Sequence, residues 1–386
     1  MSRIDDLIAE YCPDGVKHQT LGEIGEFIRG NGIQKRDFQD SGFGCIHYGQ
    51  IYTYYGLFAD HTKSFIDPNL AEKRKKAYKG DLVIATTSEN EEDVCKACAW
   101  LGEEPIAISG DAYIFRHHQN PKYISYCFQS ELFQSQKKKY ITGTKVLRVN
   151  GDAMAKIHVP VPPLPVQEEI VRILDSFSSL EAELEAELEA RRKQYTHYRD
   201  ELLKFERVLI ASLGELCKIS VGRKNGTAGV FGEYPYVNAG TSMSGFVNEW
   251  SEEGDCVTTP SRGQGGMGFV AYQASRFWCG PLCYVMRSKH SDVMIKYVYY
   301  YLCSHKADIL GLVHEGGTPA INKSELAGLR ILVPPFEEQQ RIVSILDRFD
   351  KLTNDLSSGL PAEIEARHKQ YEYYRDRLLS FDELAA

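Results

Sequence analysis

The sequence predicts an α+β protein: two globular modules separated by a long antiparallel pair of coiled-coil helices, related by an internal twofold duplication. Three observations lead there. Residues 164–177 read LPVQEEIVRILDSF and residues 336–349 read FEEQQRIVSILDRF, so Ile170, Leu174, Asp175 and Phe177 return as Ile342, Leu346, Asp347 and Phe349 at an offset of 172. Residues 189–205, EARRKQYTHYRDELLKF, return in residues 365–381 as EARHKQYEYYRDRLLSF at an offset of 176. The spacers match more weakly at an offset of 174, where GTKVLRVNGDAMAKIHVP from Gly143 answers GTPAINKSELAGLRILVP from Gly317, and Gly80-Asp81 answers Gly254-Asp255. Duplication keeps the part that holds geometry and lets the working surfaces diverge.

The elements follow in order. Residues 1–16 form an N-terminal segment expected to pack on the helical frame. Residues 17–158 form the first module. Residues 159–206 begin with a proline hinge, Pro160-Val161-Pro162-Pro163-Leu164-Pro165, that stops a strand and launches a helix. Along that helix Ile170, Leu174, Phe177, Leu180, Leu184, Leu188, Tyr195, Tyr198, Leu202 and Phe205 fall at three- and four-residue steps. One narrow apolar stripe results, which suits a coiled-coil seam better than a globular core. About 40 residues of helix span roughly 60 Å. Residues 207–332 form the second module. Residues 333–386 repeat the hinge as Pro334-Pro335 and the helix with one more leucine rung, Leu352, Leu356, Leu360 and Ile364, and the Gly359-Leu360-Pro361 step predicts a kink or a fresh helix start. A simple dimerising coil needs one arm. Two arms in one chain can pair with each other and hold two modules.

Composition excludes several classes. The chain has 386 residues, enough for two domains of roughly 130–150 residues with cores of their own. No apolar run approaches the roughly 18–20 residues of a membrane span, and Met1–Glu10 carries acids where a signal peptide has its basic and apolar regions, so a cytoplasmic protein with no membrane partner is expected. Ten cysteines without a scaffold rhythm fit a reducing compartment. Cys95-Lys96-Ala97-Cys98 has no second pair at zinc-site spacing, so no metal is expected. The net charge of −8 is uneven: residues 166–206 have 6 bases and 11 acids and residues 337–386 have 7 and 11, whereas residues 17–157 have 19 bases and 17 acids and residues 207–330 have 12 and 10. The acid sits on the solvated faces of the arms, so the overall charge does not exclude nucleic acid.

Motifs for intrinsic chemistry are missing. Gly263–Gly268 satisfies G-x-G-x-x-G, but Phe269-Val270-Ala271-Tyr272 follows, a strand pattern where a dinucleotide site requires a helix. Val333-Pro334-Pro335-Phe336 has valine where an amino-methyltransferase motif needs Asp or Asn, and the duplicated hinge accounts for its prolines. Neither a Walker lysine nor H-E-x-x-H occurs. The chain reads as non-catalytic by itself.

The proline hinges, the EEIVRILD and QQRIVSILD blocks, the EARxKQYxxYRDxLLxF blocks and the opening IDDLIAEYCPDGVKHQTLGEI resemble, in that order and nearly throughout, the specificity subunits of type I restriction-modification systems. The resemblance implies two target recognition domains reading the halves of a bipartite, asymmetric double-stranded DNA sequence. It further implies two modification subunits, which methylate adenine from S-adenosylmethionine, and restriction subunits that use ATP and Mg2+; no cofactor is expected on this chain. A specificity module serving methylation alone, or a coiled-coil adaptor with two protein- or ligand-binding domains, are the alternatives.

Base edges are read by Arg, Lys, Asn and Gln, and phosphates accept from Ser, Thr, Lys and backbone amides. The richest loops in the first module are residues 29–36, with Arg29, Asn31, Gln34, Lys35 and Arg36, and residues 86–90, with Thr86, Thr87 and Ser88. Their counterparts by position are Arg223, Lys224 and Asn225, and Ser261, Arg262 and Gln264. Lys73-Arg74-Lys75-Lys76 and Lys137-Lys138-Lys139 are either phosphate ligands or solvated faces. On the arms, Ile170, Leu174, Phe177, Tyr198, Ile342, Leu346, Phe349 and Tyr374 are the candidates for binding partner subunits. Tyr123–Phe128 and Tyr297–Leu302 occupy similar places in the two modules, which argues for packed helices over base-stacking platforms.

Overall fold

The computed structural model describes residues 3–223, 228–314, 316–355 and 357–384. The chain divides into two compact units, Met1–Glu183 with Glu365–Ala386 and Leu184–Ile364. Each contains one module and stretches of both arms.

In the first unit, strand Leu82–Ala85 is a run of four apolar residues because both of its faces are covered. Leu82 and Ile84 enter one core with the helix Pro121–Gln129, while Val83 and Ala85 enter another with Ile106 and Ile108. The main sheet has the order Gly25–Arg29, Ala112–His117, Leu82–Ala85, Lys96–Trp100 and Phe58–Ala59, antiparallel except for the last pair. The smaller sheet runs Ser64–Ile66, Phe43–Ile46, Ile106–Ile108, Lys76–Ala77, its middle pair parallel. The second unit repeats the plan. Cys217–Val221, Cys283–Ser288, Cys256–Pro260 and Ala271–Gln273 form its main sheet, and Phe246–Val247, Tyr234–Val237 and Trp278–Cys279 the smaller one, again with a parallel pair. The tyrosine-rich segments are buried helices, Pro121–Gln129 and Ile295–Ser304, as their duplication suggested.

The first arm is one helix, Leu164–Leu202. The second is two, Phe336–Asn354 and Leu360–Leu378. The break has a local cause: the Asp355 carboxylate accepts from the Ser357 N–H at 2.8 Å and from the Ser357 and Ser358 hydroxyls at 2.6 Å each, and Pro361 then stands in the new first turn, where its missing N–H costs nothing. Leu356 lies outside the described residues. In the first unit the arms meet antiparallel, with Phe177 stacked on Tyr374 at 5.5 Å and Glu181 beside His368 at 3.4 Å. In the second, Tyr195 and Tyr198 lie against Phe349 at 6.4 and 5.8 Å. The N-terminal helix Arg3–Tyr11 packs on the frame within the first unit, its Arg3 3.4 Å from Glu169, and Val16 forms a bridge to Glu383.

Each module is fastened to its arm by one repeated set of bonds. Tyr123 donates to the Pro160 carbonyl (3.1 Å) and Tyr297 to that of Leu332 (2.6 Å). Asp175 accepts from Lys122 and Tyr126 at 2.6 and 2.7 Å, and Asp347 from Lys296 and Tyr300 at 2.7 and 2.5 Å. Gln167, fully buried, accepts from the Asn120 N–H and donates to the Pro162 carbonyl and to Gln119. Gln339 accepts from the Met294 N–H and donates to the Pro334 and Asp292 carbonyls.

These bonds correct the sequence register. The match of Ile-His-Val-Pro with Ile-Leu-Val-Pro sets Pro160 against Pro334, yet Pro160 pairs with His18 where Leu332 pairs with Ile210, and both accept the tyrosine hydroxyl. Pro162-Pro163 is therefore the counterpart of Pro334-Pro335. A slip of two residues keeps every side chain on its own face, so apolar patterning cannot detect it. Likewise Leu82 faces Phe115 where Val257 faces Met286, which places Asp255 opposite Gly80. Both take the left-handed backbone, φ +94° at Gly80 and +51° at Asp255, a conformation Asp tolerates better than most residues.

Partner candidates need correction too. Ile170, Leu174, Ile342 and Leu346 are fully buried in this chain's own cores, because the stripe serves the module as well as the neighbouring arm. Phe177, Phe349 and Tyr374 are half-buried in the arm contacts, and only Tyr198, 44% exposed, presents a large surface. Cys95 and Cys98 are buried core thiols whose burial pushes them up to about 12.

One buried group makes the first unit acid-sensitive. His117 accepts the Gln119 N–H at Nδ1 (3.1 Å), which leaves its proton on a buried, partnerless Nε2. Burial lowers its pKa to about 4, against a partial opposing pull from Asp81. The unfolded chain takes up this proton near the ordinary value of about 6.5 and the folded chain resists it, so stability falls as pH drops from about 6.5 to 4. Thermal melts of His117→Asn should lose that component of the pH dependence, and an unchanged profile would assign acid sensitivity elsewhere.

Candidate nucleic-acid interface

The main-sheet strand Ala112–His117 leads at its C-terminal end to Gln119 and Asn120, which bond to Gln167 on the arm, so its N-terminal end is the end away from the arm. Both candidate loops of the first module converge there on the turn 109–111. Arg29 Nε donates to the Gly110 carbonyl (3.1 Å), the Gly30 N–H to Ala112, the Asn31 N–H to Ile108 and the Thr86 N–H to Asp111. The second module repeats the arrangement on Gly280-Pro281-Leu282: the Gly222 N–H donates to Cys283, that of Arg223 to Cys279 and that of Ser261 to Leu282. Asn31 thus corresponds to Arg223 and Thr86 to Ser261. The backbone frame is shared, and the side chains on it differ.

The structure sorts the predicted residues. Gln34, Lys35 and Arg36 are exposed, at a short turn capped by Asp37, which accepts the Gln34 N–H at 2.8 Å. Asn31 is occupied: its amide donates to the Lys73 carbonyl (3.1 Å) and its oxygen accepts the Lys75 N–H (2.8 Å). Thr86 is buried, its hydroxyl directed to the Asp111 carbonyl, so it supports the loop without facing solvent. Thr87 and Ser88 are half-buried in a ladder with Leu147–Arg148. Arg223, Arg262 and Gln264 are exposed and Ser261 is half-buried, while Lys224 and Asn225 lie outside the described residues. The backbone around Arg262 is held on both sides, through its bridge to Ala320 and through Gly263 donating to Pro319 and Ile321 donating to Ser261, which leaves the guanidinium the free part.

The two lysine runs part company. Lys137 is fully buried and its ammonium donates to the carbonyls of Glu91, Glu92 and Val94 at 2.8–3.2 Å, so it fixes an acidic loop and cannot take a phosphate. Lys73–Lys76, by contrast, is brought against residues 29–36 by the Asn31 bracket, and the Arg74 guanidinium lies over Gly32, a left-handed position (φ +56°) where an added Cβ would come within 2.9 Å of it. The sequence separates these basic segments by about 40 residues; only the fold makes them one surface. In the second module Val230 and Phe231 are 80% and 89% exposed beside the Gly229–Phe246 bridge, a tip that sequence reasoning passed over.

A family model described as the type I restriction modification DNA specificity domain matches residues 13–190 and again 208–366. The chain is 34% identical over 273 residues to the specificity subunit of the type I restriction enzyme EcoR124I/EcoR124II of Escherichia coli, covering 60% of this chain and 65% of that one. It is 33% identical over 244 residues to a putative type I specificity subunit of Mycoplasma pneumoniae, covering 59% and 94%. In fold it is similar to the S subunit of a type I restriction-modification system from M. genitalium, with a TM-score of 0.59, 14% identity and coverage of 94% and 96%. The HsdS subunit of Thermoanaerobacter tengcongensis gives a TM-score of 0.51 at 16% identity, with coverage of 96% and 97%. Among the described residues no helix is long and apolar enough to cross a membrane. With the family model matched in both halves, each on a module built around the same backbone frame, the chain belongs to the type I restriction-modification DNA specificity family.

Proposed function

We propose that this chain is the sequence-reading subunit of a type I restriction-modification complex, each module reading one half of a bipartite, asymmetric duplex target. The observation that carries the proposal is the duplicated edge. Identical backbone bonds anchor the loops at Asn31 and Arg223, and at Thr86 and Ser261, at equivalent places, so loops of divergent sequence are carried on one geometry, as two different half-sites require. The chain itself is non-catalytic. Two modification subunits bring S-adenosylmethionine, restriction subunits bring ATP and Mg2+, and all dock on the arms, where Tyr198 and the half-buried aromatics offer surface.

Methylome sequencing of a cytoplasmic host expressing this chain with its modification partner tests the reading: a single split motif is expected. Arg262→Ala should then relax one half only and weaken target binding by about 1–3 kcal/mol, as loss of a bidentate base contact does. Equal losses on all duplexes would make Arg262 a phosphate ligand, and no methylated motif in the host would overturn the function.

A further inference from the structure

Several cations of the arms and of the second module are held by nearby carboxylates. On the arms Arg172, Arg191, Lys193, Lys204, Arg341 and Lys369 each pair with a carboxylate three or four residues away, and in the second module Arg276 and Arg287 pair with Glu253 and Glu252. One edge of the first module instead gathers several cations in two short segments. Residues 29–36 and 73–76 hold seven bases and no acid, and none of the seven is in an ion pair among the described residues. Like charges brought together repel, so folding them onto one surface is unfavourable without an anion. Yet the fold enforces the juxtaposition through the half-buried Asn31, using only main-chain atoms of Lys73 and Lys75. Lys35, Lys73 and Lys75 are left exposed.

The second module has the same place and different charge. Strand Lys76–Ala77 pairs with Ile106–Ile108, and the corresponding pairing is the antiparallel bridge of Glu252 to Phe277 just before strand Trp278–Cys279. The stretch leading into that bridge is Asn248-Glu249-Trp250-Ser251, with no base in it, whereas the stretch matching residues 29–36 keeps two bases, Arg223 and Lys224, the latter outside the described residues.

We propose that residues 29–36 and 73–76 form a ridge that clamps the phosphate backbone of duplex DNA beside the half-site read by the first module, and that the second module, which has bases in only one of the two matching stretches, holds the backbone more weakly. The inference rests on the DNA-reading function proposed above and adds a division of labour to it. Sequence-independent, salt-sensitive affinity comes mainly from the first module, and the second contributes discrimination with weaker electrostatic anchoring.

The test uses the complex of this chain with its modification partner, and two duplexes: one carrying the methylated motif, one with that motif scrambled. Affinity is followed by fluorescence anisotropy across a salt series. In Lys35→Gln/Lys73→Gln/Lys75→Gln the slope of log affinity against log salt should become shallower by about 2.7 on both duplexes, at about 0.9 per phosphate contact. Between roughly 50 and 200 mM salt the wild type should therefore lose about 40-fold more affinity than the variant. Asn248→Lys/Glu249→Lys should steepen the slope, since it supplies the second module with what it lacks. Unchanged slope and affinity in the triple variant, with the partner still bound, would return the ridge to an ordinary solvated face. A loss confined to the motif-bearing duplex would assign base reading and overturn the clamp. Failure of the underlying reading looks different: the wild type would bind both duplexes alike.

Discussion

Gln167→Leu should lower the stability of the first unit by about 3–5 kcal/mol and leave the second untouched, because a buried donor and its acceptors lose their partners at once while the apolar volume is kept. The side chain holds the Asn120 N–H, the Pro162 carbonyl and Gln119 together at 2.7–3.0 Å, at the point where the module meets the arm. Gln339→Leu should do the same to the second unit through Met294, Asp292 and Pro334. Hydrogen exchange of the assembled complex separates the two: Gln167→Leu speeds exchange in Pro121–Gln129 and spares Ile295–Ser304, and Gln339→Leu reverses the pattern. Equal acceleration in both helices, or none in either, would show that the glutamines are not the fasteners of their own modules.

A larger change in specificity should follow from lengthening the leucine ladder. Residues 180–190 read LEAELEAELEA within the uninterrupted helix Leu164–Leu202, and Leu180, Leu184 and Leu188 are half-buried along it. One more Leu-Glu-Ala-Glu unit adds about 6 Å of helix and turns it roughly 40° past a full turn, so leucine returns to nearly the same face and the seam survives. Along duplex DNA about 6 Å is less than two base pairs at about 3.4 Å per step. The insertion variant should methylate the same two half-sites with the unspecified gap longer by one, or at most two, base pairs. Methylome sequencing decides it. A fully active variant with the original gap would make the ladder a packing element only, and altered half-site bases would refute the separation of spacing from reading.

What the sequence determined by itself is whatever depends on local spacing. The 3.6-residue recurrence of apolar side chains fixed the arms, the repeated blocks fixed the duplication, and Gly359-Leu360-Pro361 marked the helix break at the correct place. The tyrosine segments were legible as core because a position kept in both copies answers to packing. The tertiary structure decided what depends on partners distant in sequence. Strand register between the halves differed by two residues at the hinge and by one at Asp255, since a period-two pattern looks the same after a slip of two and a left-handed residue need not be glycine. Thr86 and Asn31 looked like donors awaiting DNA and Lys137 like a phosphate ligand or part of a solvated face, and each is instead engaged by backbone from another segment. Ile170, Leu174, Ile342 and Leu346 looked like partner surface, and the chain's own modules cover them. The basic ridge exists only because Asn31 draws together two segments some 40 residues apart, and no local pattern encodes a contact that a side chain makes with a distant main chain.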